Sequence, residues 1–90
     1  MDIYGKHVLV VGLARSGVAV ARALSRRGAI VTVSDRKHPS EFSDVLPQLL
    51  KDKMGLELGM QREETFLRQD LIVTSPGVPW DLAQLQAARG

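Results

Sequence analysis

The pattern of apolar and polar positions opens with "HVLVV", His7 to Val11, a continuous β-branched run that stops at Gly12. A strand buried on both faces of a parallel sheet reads this way. From Ser16 to Arg27 the period changes: Gly17, Val20, Ala21 and Leu24 share one helical face, and Arg22 and Arg26 lie on the other. Ser16 is placed to cap this helix, and Gly28 to end it in a left-handed conformation. "AIVTVS", Ala29 to Ser34, is a second strand closed by Asp35. Strand, helix and strand within about thirty residues make a βαβ unit, whose crossover is right-handed.

Beyond it the alternation continues. "RKHPSEFS" is a loop in which Ser40 caps a helix running to about Lys53, with Val45, Leu46, Leu49 and Leu50 as its buried face and Pro47 set awkwardly inside it. Met54 to Leu58 is a third strand. "GMQREETFLRQ" holds one helical turn that buries Phe66 and Leu67, and "DLIVT", Asp70 to Thr74, is a fourth strand. "SPGVPW" then breaks regular structure, and Asp81 opens a last helix. The expected fold is α/β: a Rossmann-like parallel sheet with helices on both faces. An alternating chain that closes on a helix and its glycine is expected to continue into another strand, so residues 1–90 are read as the first domain of a larger protein.

Composition narrows the function. Ninety residues with 44% apolar content make one small globular domain. No apolar run approaches the ~20 residues of a membrane span, and the N-terminal "MDIYGKHV" has no positively charged region ahead of an apolar stretch of the secretory kind. A cytoplasmic address is the default expectation. Without cysteine there is no disulfide framework, thiolate metal site or thiol nucleophile. The net charge is only +2, the bases are scattered, and the aromatics are one Trp, one Tyr and two Phe. Nucleic-acid binding by a basic stripe with stacking rings is therefore not expected.

The chemistry gathers at the corner after the first strand. A helix beginning near Ser16 leaves its first N–H groups without partners and carries partial positive charge there. Small residues at Gly12, Ala14 and Gly17 let an anion approach the backbone, and a phosphate is the natural occupant. The spacing G-x-A-x-x-G is one methyl group away from the dinucleotide fingerprint G-x-G-x-x-G. Asp35 lies 18 residues beyond Gly17, where folds of this kind keep an acid for a ribose. "TSPGVP", Thr74 to Pro79, leaves the fourth strand on the same sheet edge, so Ser75, Pro76 and Gly77 are expected to face Gly12–Gly17. The bland alternatives are close helix–strand packing for the small residues and a stiff turn for the prolines.

"VLVVGLARSGVAVARALSRRGAIVTVSD" followed by "DLIVTSPGVP" resembles the N-terminal domain of the Mur ligases, in particular the branch that adds D-glutamate. The resemblance runs from Gly5-Lys6 to the helix after Pro79. It implies a domain that holds the UDP part of UDP-N-acetylmuramoyl-L-alanine in peptidoglycan (cell wall) synthesis. By the same resemblance, the backbone at Ala14, Arg15, Ser16 and Gly17 faces the diphosphate. Asp35, Arg36 and Lys37 lie beside uracil and ribose, and Ser75, Pro76 and Gly77 close the pocket. The parent enzyme is then an ATP-dependent peptide-bond-forming ligase using magnesium. Its ATP and D-glutamate are handled by other domains, with no cofactor in this one.

No catalytic residue or metal ligand is expected within these residues. The loop G-x-x-x-x-G-K-[ST] is absent, His7 lies at the opposite edge, and His38 is read as a solvated loop residue. This piece alone is expected to be inactive. Arg15 is read as a solvated loop residue, with attraction for a dianion as the alternative. Arg22, Arg26 and Arg27 form a wet helix face, and Glu63 and Glu64 a solvated turn. Trp80 packs on the domain or a neighbour, and Met54 and Met60 fill the core. Two other functions stay open. One is an NAD-binding domain of a dehydrogenase or nucleotide sensor, which the methyl of Ala14 disfavours. The other is a scaffold that binds no nucleotide.

Overall fold

The computed structural model describes residues 2–13 and 15–74, residues 15 and 16 as backbone only. Ala14, the "SPGVPW" break, Trp80 and the helix expected from Asp81 lie outside them. The elements are β1 (His7–Val11), α1 (Arg15–Arg26), β2 (Ile30–Asp35), a 3₁₀ turn (Pro39–Phe42), α2 (Leu46–Lys51), β3 (Gly55–Leu58), α3 (Glu63–Leu67) and β4 (Leu71–Thr74). The four strands form one parallel sheet in the order β3-β2-β1-β4. This is the expected α/β, Rossmann-like fold.

β1 is paired on both sides: Val8 lies between Val31 and Leu71, and Val11 between Ser34 and Thr74. That position explains its unbroken apolar run, since both faces are covered and Val8 to Val11 are at most 1% exposed. Val8, Val10, Val31 and Val33 point to one face, where Val18, Ala21 and Leu24 of α1 and Leu49 of α2 pack on them. Leu9 and Val11 point to the other face, against Phe66 of α3 and Ile72. Helices therefore cover both faces, and each fully buried Val, Leu or Phe contributes about 1.5–3 kcal/mol.

α1 starts at Arg15, one residue earlier than expected, so Ser16 falls inside its first turn and not ahead of it. Its buried stripe runs through Gly17, Ala21 and Leu24 but leans toward Val18, which leaves Val20 37% exposed. The end is as expected. Gly28 adopts φ +89°, Ala29 N–H donates to Leu24 O (3.2 Å) and Gly28 N–H to Ser25 O (3.0 Å). This is the Schellman pattern, and Leu24 and Ala29 meet in the same core cluster.

Arg22 is more than a wet surface residue. Its Nε lies 3.5 Å from Asp52 Oδ2 and its Nη1 donates to Gln48 Oε1 at 3.4 Å, tying α1 to the end of α2.

The single helix expected from Ser40 to Lys53 is two pieces. Pro47 has no N–H to give and would clash with the preceding turn of a continuous helix. The chain instead makes a 3₁₀ turn, breaks, and restarts at Leu46 with Pro47 in the first turn, where no donor is needed. The cap of the 3₁₀ turn is His38, not Ser40: His38 Nδ1 accepts the Ser40 N–H at 3.1 Å. In α2 only Leu49 is fully buried, while Val45 and Leu46 are half-buried and Leu50 is exposed.

α3 is too short to bury two neighbouring residues. Phe66 is 1% exposed but Leu67 is 56% exposed, against expectation. Met54 is core and Met60 is not. α3 is held to β3 by Glu57, whose carboxylate accepts the Arg62 N–H (2.6 Å) and the Thr65 hydroxyl. Glu63 and Glu64 are exposed in its first turn, as expected.

The substitution Phe66→Ala should lower stability by about 3–5 kcal/mol. Leu67→Ala should change it by less than about 0.5 kcal/mol. Urea denaturation of the two variants checks both the size of the effect and the face that α3 presents.

Candidate functional site

β1 and β4 end at the same level, Val11 registered against Thr74, with β2 on the other side of β1. Chain order reverses at β1: the path leaves it toward β2 and β3, then returns to its far side as β4. A crevice at the carboxyl ends of strands, at such a reversal, is where open α/β sheets bind ligands.

The corner itself is built from backbone. Gly12 adopts φ +94°, a conformation that turns the chain out of β1, and its N–H donates to Ser34 O at 2.8 Å. A residue with a Cβ would be strained there. Leu13 follows with its side chain buried in the core at 4% exposure. α1 then begins at Arg15, and its first N–H groups lack intrahelical carbonyl partners by the geometry of any helix. Gly17 is buried in this turn. The first turn of α1 carries no acidic residue, whereas that of α3 carries Glu63 and Glu64. The positive end of the α1 dipole is thus not offset by a carboxylate in its own first turn.

Asp35 is the last residue of β2, and its own carbonyl accepts Gly59 N–H at 3.0 Å. Its carboxylate accepts Leu13 N–H on Oδ2 at 2.8 Å and Lys37 N–H on Oδ1 at 2.9 Å. Arg36 and Lys37 are exposed just beyond. The structure therefore brings together four of the sequence-read features: Gly12, the opening turn of α1 with Arg15, Ser16 and Gly17, Asp35, and the Arg36-Lys37 pair. Ala14, Ser75, Pro76 and Gly77 lie outside the described residues. Thr74 nevertheless delivers the chain to this edge.

Two contributors were missed by the sequence reading. Leu13 looked like a spacer in the glycine pattern, yet its amide is what Asp35 grips. Phe42 and Val45, with Leu13 and Val18, line an open pocket of about 330 Å³ beside the corner, rimmed by Glu41 and Asp44. No spacing signal joins those residues, because the break after Phe42 creates the pocket. Neither histidine bonds to the residues of the corner in the hydrogen bonds described. His7 starts β1 at the opposite edge, its N–H bonded to Asp70 Oδ2, and His38 caps the 3₁₀ turn. Among the described residues, no group of three or more His, Cys, Asp or Glu is placed to hold a metal ion, and no helix is long and apolar enough to cross a membrane.

Comparison with known proteins adds what geometry alone does not. Residues 6–90 match the family model "Mur ligase MurD-like, N-terminal domain". The chain belongs to this family. A UDP-N-acetylmuramoylalanine–D-glutamate ligase of Geotalea daltonii is 57% identical over 89 residues, covering 99% of this chain and 20% of that protein. The enzyme of the same name from Koribacter versatilis is 52% identical over the same length, again covering 99% and 20%. The MurD-like chain thus spans about a fifth of the length of these curated relatives. Among solved structures, a dipicolinate synthase from Bacillus halodurans is similar, with a TM-score of 0.75 and 26% identity. The match covers 98% of this chain and 28% of that one.

The corner depends on the left-handed turn at Gly12. Gly12→Ala should cost about 1–2 kcal/mol through the positive φ alone, lowering the thermal midpoint by about 4–8 °C per kcal/mol. Differential scanning calorimetry checks this, and an unchanged midpoint would show that the turn tolerates a Cβ.

Proposed function

We propose that this domain binds the UDP part of UDP-N-acetylmuramoyl-L-alanine within an ATP-dependent ligase that adds D-glutamate during peptidoglycan synthesis. The observation that carries the reading is the opening turn of α1, placed at the strand-end crevice in a chain of the MurD-like family. The named relatives supply the substrate and the reaction.

In this reading the backbone amides of Arg15, Ser16 and Gly17, with Ala14 ahead of them, donate to the diphosphate. Aligned amides at a helix start favour a dianion without any side-chain charge. Asp35, Arg36 and Lys37 lie on the uridine side. The Asp35 carboxylate has room for further donors after its two backbone contacts, since an ionised carboxylate offers about four lone-pair positions. A ribose hydroxyl or the uracil imide N–H suits them. Ser75, Pro76 and Gly77 close the site from the β4 side.

ATP, magnesium and D-glutamate are handled outside these residues. The domain contributes by holding the substrate, and the 90-residue piece alone is inactive. Its binding energy fixes the nucleotide end so that the distant carboxylate is presented to the chemistry, a positioning role of the kind that lowers the entropic part of a barrier.

Titration of the isotope-labelled chain with UDP-N-acetylmuramoyl-L-alanine tests the reading by amide shifts. Residues 12–17 and 35–37 should move together and saturate, and NADH at equal concentration should leave them in place. Movement with NADH alone would support a dinucleotide domain, and no movement with either would support a scaffold.

A further inference from the structure

Asp35 spends one carboxylate oxygen on each of two loops. Oδ2 takes the N–H of Leu13, which lies between β1 and α1, and Oδ1 takes the N–H of Lys37, which lies after β2. We infer that Asp35 is a positioning residue that locks the diphosphate-facing corner to the uridine-facing loop. This inference rests on the nucleotide-diphosphate reading above. It goes beyond that reading because the effect is exerted through the Leu13 backbone, not by contact with ligand.

The surroundings of Asp35 make it a rigid anchor. Its carbonyl is bonded to Gly59 N–H past the end of β3, and its Cα is registered against Leu58. The preceding residue, Ser34, is fully buried, and its carbonyl accepts the Gly12 N–H. Leu13 is held by its buried side chain on one side and by the carboxylate on the other. The Gly12–Leu13 peptide unit, just ahead of α1, therefore has its orientation set by Asp35, and in the proposed role the lock on this unit carries forward to the amides of the opening turn. Hydrogen bonds to an ionised acceptor are stronger than neutral ones, which suits a lock that must hold with the site empty.

The sign of one effect separates this role from the two simpler ones. Were Asp35 only a charge near the corner, removing it would relieve repulsion and tighten binding of a bare anion. Were it only a uridine ligand, removing it would weaken UDP and leave inorganic pyrophosphate unchanged. A positioning residue predicts a third pattern: pyrophosphate and UDP weaken together, although a negative charge has been taken away.

The experiment uses the 90-residue chain and its Asp35→Asn and Asp35→Ala variants, with inorganic pyrophosphate and UDP as probes. Asn keeps the shape but retains one acceptor for two donors, and Ala retains none. Amide exchange at Leu13 and Lys37 should quicken by about tenfold or more, the scale of losing a hydrogen bond to a charged group. Exchange at Val10 and Val33 should stay unchanged, which shows that the sheet is intact in each variant. Both probes should weaken, more for Ala than for Asn, and UDP at least as much as pyrophosphate because it also loses the uridine-side contact. Unchanged exchange at Leu13 overturns the lock, and so does pyrophosphate affinity that is unchanged or improved. A wild-type chain that binds neither probe overturns the diphosphate reading instead, and the lock is still judged by Leu13 exchange.

Discussion

Everything at the candidate site follows from the double pairing of β1. A parallel strand with neighbours on both sides and helices on both faces has one stable register and one direction. Its carboxyl end is thus fixed in space by hydrogen bonds to β2 and β4 and by the burial of Val8 to Val11. α1 must leave from that end and fold back over Val8 and Val10, so its positive terminus stays at the sheet edge. The ends of β2 and β4 are brought level with it by the same register. In the proposed reading such a site needs few special side chains, because most of its donors are backbone N–H groups.

Two kinds of residue then shape the edge. Gly12 works by what it lacks, permitting a left-handed turn, and Gly17 is buried in the opening turn of α1. Asp35 works by what it grips, holding Leu13 and Lys37 at once. Acidic residues elsewhere serve the scaffold. Glu57 secures α3, Asp52 meets Arg22, and Asp70 accepts the His7 N–H. In the proposed reading the attraction for a dianion comes from an oriented dipole, with Asp35 engaged by two backbone donors and Glu41 and Asp44 kept to the rim of the neighbouring pocket.

Much of this was legible in the residues. β1 was readable because burial on two faces demands a continuous apolar run, and β4, though half-buried, carries a run of the same kind. Gly28 was readable because a left-handed helix stop has few chemical solutions. Periodicity failed where an element was too short to show a period. In α3 a single turn cannot bury both Phe66 and Leu67, and between Ser40 and Lys53 the apolar spacing concealed the break that Pro47 enforces. The grip of Asp35 on Leu13 was hidden for another reason. It joins a side chain to a backbone amide across two strands, and a backbone amide leaves no mark in the order of side chains.

The most direct measurement is a co-crystal structure of the chain with uridine diphosphate. The account predicts diphosphate oxygens within about 3 Å of the backbone nitrogens of residues 15–17, with the uridine lying toward Asp35 and Lys37. A diphosphate seated at the opposite edge beside His7 and Asp70, or in the polar pocket formed by Thr32, Arg62 and Arg68 on the α3 face, would contradict it.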